Sequence, residues 1–355
     1  MSRARVARRI VTAAAYGGGG VGLLGGAAVG LLMAEARLAR RRVGESDAVP
    51  PSADGLYGAA LAHQGPGARR TPLRLAVLGD STAAGLGVRR AGQTPGALLA
   101  SGLAAVAERP VLLRNVAVPG ARSDDLERQV TELLGGDGTG GGDEAGGTGG
   151  APDVCAVIVG ANDVTHRVPP ARSVRLLSAA VARLRAAGCE VVVGTCPDLG
   201  TIEPVAQPLR WMARRTSRRL AAAQTIAVVE LGGRTVSLGD LLGPEFEANP
   251  RELFGPDHYH PSAEGYATAA MAFLPTLCAA LGLWPEDERP DAARREGILP
   301  VDRAAVAAAE EAGTEVAAVR GPWALLKHRR RRRLPEAEEA LPAPPQGAGT
   351  PPALP

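Results

Sequence analysis

Five short, mainly apolar runs, at positions 73–78, 111–116, 154–159, 191–194 and 226–231, each have Gly, Pro or Asp at one or both ends. Between them lie longer segments with apolar residues at helical spacing, at 94–106, 124–134, 173–187 and 209–223, and a last one at 262–281. Continuous apolar runs of strand length read as buried strands, and their alternation with helical segments implies βαβ units with parallel pairing. The pattern therefore predicts an α/β protein, a three-layer α/β/α sandwich on a five-stranded parallel sheet, with one domain over 72–284. The Pro/Gly/Ala-rich stretch 43–71 reads as a linker. The glycine-dominated stretch 135–150 reads as a disordered loop inserted between a helix and the third strand.

The two ends follow different patterns. Arg3, Arg5, Arg8 and Arg9 precede an uncharged apolar run over 10–34, after which come Arg37 and Arg40 to Arg42. Such a run, about 25 residues long, suffices to cross a bilayer as a helix. It exceeds the usual apolar core of a cleavable signal, so residues 1–42 are expected to form an uncleaved membrane anchor. The alternative is a flexible Gly/Ala leader on a secreted or cytoplasmic protein. Arginines flank both ends of the run, so charge asymmetry sets no orientation. A basic start ahead of an apolar run resembles an uncleaved export signal, and on that ground the folded domain is expected outside the cytoplasm. Residues 285–355 hold a charged segment near 301–319, five arginines at 329–333 and a proline-rich end, and are expected to be a disordered tail.

Composition narrows the partners. Apolar residues make up 45% and aromatic residues 3% of the chain, so the core must be built from Ala, Val and Leu. Lys327 is the sole lysine, and arginine abundance follows a general compositional bias; with a net charge of +3, no nucleic-acid partner is expected. Cys189 and Cys196 bracket a strand and would lie about 20 Å apart at roughly 3.3 Å per residue. A disulfide needs Cα atoms within about 7 Å. Cys155 and Cys278 read as small core residues.

Candidate chemistry collects where parallel strands end, since that is where such sheets bind ligands. The first strand ends in Gly79-Asp80-Ser81, the second leads through NVAVPGARSDDL past Gly120, and the third ends in GANDV with Asn162. Near the end of the domain, FGPDHYHPSAEGY holds Asp257 and His260, close enough in sequence to meet on one tight loop. These are the parts of acyl transfer: a hydroxyl nucleophile at Ser81, a base at His260, an acid at Asp257 to fix its tautomer. The Ser81 and Gly120 N–H groups and the Asn162 amide supply donors for an oxyanion. Asp80 reads as a turn organiser and Asp163 as structural. Asp257, His258 and His260 have a metal-like spacing but lack a further ligand cluster, so neither a metal nor a cofactor is expected.

The four blocks, in this order, resemble the SGNH hydrolases, also called the GDSL-like lipase and acylhydrolase family, over roughly residues 72 to 281. Thr82 stands where the family's first block has leucine. The resemblance implies a flavodoxin-like fold and serine-dependent ester hydrolysis, with Ser81, Asp257 and His260 as catalytic residues and Ser81, Gly120 and Asn162 as the oxyanion hole. It leaves the substrate open between lipid-like acyl esters and acetylated cell-wall or other carbohydrates. A non-catalytic, membrane-tethered binding module is the alternative from another class.

Overall fold

A computed structural model describes residues 49–63, 70–135 and 150–283, and Gly30. The expected anchor at 10–34 (Gly30 apart), most of the glycine-rich loop and the whole tail beyond 283 lie outside the described residues. Among those described, no helix is long and apolar enough to cross a membrane.

The sheet has six strands in the order β1-β3-β2-β4-β5-β6: β1 (Gly55–Tyr57), β2 (Leu73–Gly79), β3 (Val111–Asn115), β4 (Val154–Ile158), β5 (Glu190–Gly194) and β6 (Arg234–Val236). The last five are parallel, and β1 runs antiparallel to β3 at one edge. The linker reading of 43–71 is therefore corrected over Gly55–Tyr57, which belong to the sheet. There the Asn115 N–H donates to Asp54 Oδ1 at 2.7 Å and the Tyr57 hydroxyl donates to Ala53 O at 2.6 Å.

Alternation along β2 sorts the core into two layers. Leu75 and Val77 face helices α2 (Pro95–Ala107) and α9 (Ala263–Ala280), meeting Leu99, Leu103, Phe273 and Leu277. Ala76 and Leu78 face α3 (Leu126–Leu134) and α5 (Pro170–Ala186), meeting Val130, Leu177, Val181 and Leu184. Between β2 and α2 lies the four-residue helix α1 (Ser81–Ala84), and α4 (Ala161–Thr165) follows β4 directly.

The strand expected at 226–231 does not form. Those positions close helix α6 (Leu209–Glu230), and the fifth parallel strand is instead β6. The buried side of α6 is Ser217, Leu220, Ala221, Gln224, Thr225 and Val228, which is helical spacing with three polar residues in it. Gln224 is satisfied inside: its Nε2 donates to Val159 O at 3.0 Å and its Oε1 accepts from the Cys196 N–H at 2.7 Å. Two helices absent from the expected pattern, α7 (Leu238–Ala248) and α8 (Pro250–Leu253), lead from β6 to the loop before α9. All four cysteines are free and buried.

Candidate active site

The five parallel strands have the order 2-1-3-4-5 when counted among themselves, so the chain reverses direction across the sheet at β2. In such a sheet the ligand crevice forms at that reversal, outside the carboxyl ends of the strands. Ser81 follows β2, Gly120 lies in the loop after β3, and Asn162 is the second residue of α4 after β4.

The turn that presents Ser81 is built by Gly79 and Asp80. Gly79 has φ +135°, and a Cβ on it would lie 1.8 Å from Ile158 O, so no other residue fits against β4 there. Asp80 caps α1: its Oδ1 accepts from the Thr82 N–H at 2.9 Å. This carboxyl is buried, and burial pushes its pKa from 3.8 up to about 6, against the lowering effect of the Thr82 amide and of His260.

Three side chains form one hydrogen-bonded chain. His260 Nε2 is 2.9 Å from Ser81 Oγ, and His260 Nδ1 is 2.6 Å from Asp257 Oδ2. The other Asp257 oxygen accepts from the Tyr259 and His260 N–H groups at 3.0 Å each. Burial pushes the Asp257 carboxyl up, but the hydrogen bonds from the His260 ring and the two amides outweigh it, and the group lies below the ordinary carboxylate value. An ionised Asp257 holds the proton of the imidazole on Nδ1, which leaves Nε2 free to accept from the Ser81 hydroxyl. The loop is closed by the Gly255 N–H, which donates to His260 O at 2.8 Å, and α9, which follows it, is tied to the segment after α1 by the Tyr266 hydroxyl, which donates to Leu86 O at 2.6 Å.

On the opposite side, the Val118 N–H donates to Gly79 O at 3.1 Å, which lays the loop carrying Gly120 beside the end of β2. Asn162 Nδ2 donates to Ala121 O at 3.0 Å and so adjoins the same loop. Asp163 ties the two together. Its carboxylate is buried, accepts from the Ser123 N–H at 3.1 and 3.3 Å, and accepts from the Ser173 hydroxyl at 2.7 Å. That is the structural role expected for it. His258 is exposed with a left-handed backbone, φ +54°, and does not join the chain. Among the described residues, no group of three or more His, Cys, Asp or Glu is placed to hold a metal ion.

From Ser81 a pocket runs inward between the sheet, α7 and α9, with an empty volume of about 920 Å³ counted with its open mouth. Its walls are mostly apolar and include Leu99, Ile158, Leu242, Phe246 and Phe273. Asp198, on the wall formed by the loop after β5, is neutralised by Arg218 at 2.8 Å and Arg214 at 3.4 Å.

A hydroxyl, an imidazole and a carboxylate in line, at the open end of a parallel sheet and beside an apolar pocket, define a serine hydrolase geometry. Residues 77–268 match the model of the GDSL-like lipase/acylhydrolase family. The chain is 40% identical over 268 residues to a GDSL-like esterase of Mycobacterium tuberculosis, covering 75% of this chain and 81% of that protein. It belongs to the GDSL-like lipase/acylhydrolase family, whose activity is the hydrolysis of ester bonds. Among solved structures it is similar to an α/β hydrolase, LAE5, from the metagenome of Lake Arreo, at 19% identity and TM-score 0.46, over 61% of this chain and 98% of that one. It is also similar to an acetylxylan esterase of Geobacillus stearothermophilus, at 17% identity and TM-score 0.46, over 60% and 95%.

Proposed function

We propose that the chain hydrolyses carboxylic esters through an acyl-enzyme on Ser81, and that the acyl part is a hydrocarbon chain seated in the apolar pocket. The observation that carries this is the chain Asp257–His260–Ser81, with its two contacts of 2.6 and 2.9 Å. His260 takes the Ser81 proton as Oγ attacks the carbonyl carbon. The negative oxygen of the tetrahedral intermediate is received by the Ser81 and Gly120 N–H groups and the Asn162 amide. His260 then returns the proton to the leaving alcohol, and water repeats the sequence to release the acid. The mostly apolar walls beside Ser81 favour an alkyl chain over the acetyl group of a carbohydrate, which would leave that surface unfilled.

We further propose that residues 10–34 tether the enzyme to the cell membrane, with the catalytic domain outside the cytoplasm. The length and apolarity of that run support it.

The test of the nucleophile is Ser81→Ala, together with labelling by a serine-directed phosphonate. The variant is expected to fold and to lose hydrolysis of p-nitrophenyl esters, and the phosphonate is expected to modify Ser81 alone. Turnover by Ser81→Ala at the wild-type rate would refute the assignment.

A further inference from the structure

A second cavity lies next to the apolar pocket and is lined by more polar groups. It is an open groove between the segment after α1 and the loop that carries the catalytic histidine, and Arg89, Arg90 and Arg251 line it together with His258. Glu252 is the sole carboxylate among its lining residues. Among the described residues, none of the three guanidinium groups takes part in an ion pair. In the apolar pocket, by contrast, the lining carboxylate Asp198 is already paired, with Arg214 and Arg218 behind it.

Its place relative to the chemistry matters more than its charge. One wall of the groove is the stretch from Phe254 to His258, the same loop that holds Asp257 and His260. The other wall packs on the catalytic histidine directly: a Cβ added at Gly87 would lie 3.2 Å from His260 Cβ. Phe254 lines both cavities and is the partition between them. In acyl transfer the leaving oxygen must sit at His260 Nε2 to receive the proton, so the alcohol part of an ester departs along the histidine side of Ser81. An ester with its acyl chain in the apolar pocket therefore leads its alcohol part over the catalytic loop, toward the guanidinium groups.

We propose that this groove binds a phosphate carried by the alcohol part of the substrate, so that the preferred substrate is an acyl ester of a phosphorylated polyol. Planar guanidinium groups pair with phosphate oxygens through two parallel N–H···O bonds, and three unpaired ones on an open groove suit a doubly charged group. The inference rests on the Ser81-centred reading of the site.

The experiment compares monooctanoylglycerol with octanoylglycerol phosphate, using the full-length wild-type protein and the triple variant R89A/R90A/R251A. The wild-type protein should favour the phosphorylated ester in kcat/KM by roughly ten-fold, the scale of a few solvent-exposed charge pairs acting together. That ratio should fall toward one in the triple variant and with added salt, and recover in part in R89K/R90K/R251K. Calorimetry with glycerol phosphate needs no turnover: heat of binding seen with wild type and lost in the triple variant supports the groove by itself. No preference in wild type, or a preference unchanged in the triple variant, would overturn the proposal. So would the absence of glycerol phosphate binding, or inorganic phosphate binding equally well with no substrate preference. Hydrolysis of both esters persisting in Ser81→Ala would instead count against the nucleophile.

Discussion

Gln129 holds Gly79 by both ends of its amide: its Oε1 accepts from the Gly79 N–H at 2.8 Å and its Nε2 donates to Gly79 O at 2.9 Å. A side chain from the middle of α3 thus takes the part of a neighbouring strand and satisfies the last backbone groups of β2 before the turn to Ser81. Gln129 is fully buried, so its loss would strand two backbone groups away from water. Gln129→Ala is expected to lower stability by about 2–4 kcal/mol, which denaturant unfolding would measure. A loss of kcat larger than that of KM should accompany it, because the Ser81 turn would lose its fixed end.

Asn162→Ala is expected to lower kcat by roughly 100-fold to 1000-fold with little change in KM, the range for removal of one fixed oxyanion donor. The donor meets the charged oxygen of the transition state more strongly than the neutral carbonyl. Steady-state kinetics on a soluble p-nitrophenyl ester would check this; an effect on KM alone would make Asn162 a substrate-binding residue.

Asp80 makes stability depend on pH with a definite sign. Its pKa is raised in the folded state from 3.8 to about 6, so between those values the folded protein binds more protons than the unfolded one. The contribution of Asp80 therefore falls as pH rises through that window, by about 3 kcal/mol in all, and is constant above it. Asp80→Asn keeps a capping oxygen and removes the titration. Unfolding free energies of wild type and variant, measured at about pH 4 and pH 7, should differ by most of that amount, about 2 kcal/mol, more at the higher pH, in favour of the variant.

The proposed tether has a separate consequence. Full-length protein should sediment with membranes and stay there through carbonate extraction, and protease added to intact spheroplasts should digest the catalytic domain. Protection until lysis would put the domain on the cytoplasmic side, and recovery in the soluble fraction would remove the tether.

Sequence periodicity showed the centre of the fold well and its margins poorly. β2, β4 and β5 are buried on both faces, so apart from Arg74 and Glu190 at the starts of β2 and β5 each appears as an apolar run. The C-terminal half of α6 has a strand-like pattern because Gln224 and Thr225 occupy its buried side, leaving the apolar residues after them as a short continuous run. β6 and β1 are three residues each, too short to make a pattern. For the site, Ser81, Asn162 and the Asp257–His260 pair were legible because each stands at a strand end or on a tight loop beside glycine. Gln129 was not, since a glutamine within an amphipathic helix reads as surface. Its phase was the available signal: Leu126, Gln129, Val130 and Leu133 are all on the buried side of α3.

The antiparallel strand β1 bears on where this enzyme can be cut. It covers the outer edge of β3, with Gly55 opposite Leu113 and Tyr57 opposite Val111. A protein trimmed to the first parallel strand, near residue 70, would keep every residue of the site but bare a row of unpaired N–H and C=O groups along β3. Such a row is a template for strand addition from another molecule. Self-association of that truncated form, absent when the cut is made ahead of residue 49, is what the edge pairing entails; a soluble, crystallisable catalytic domain has to begin upstream of the family's own motifs.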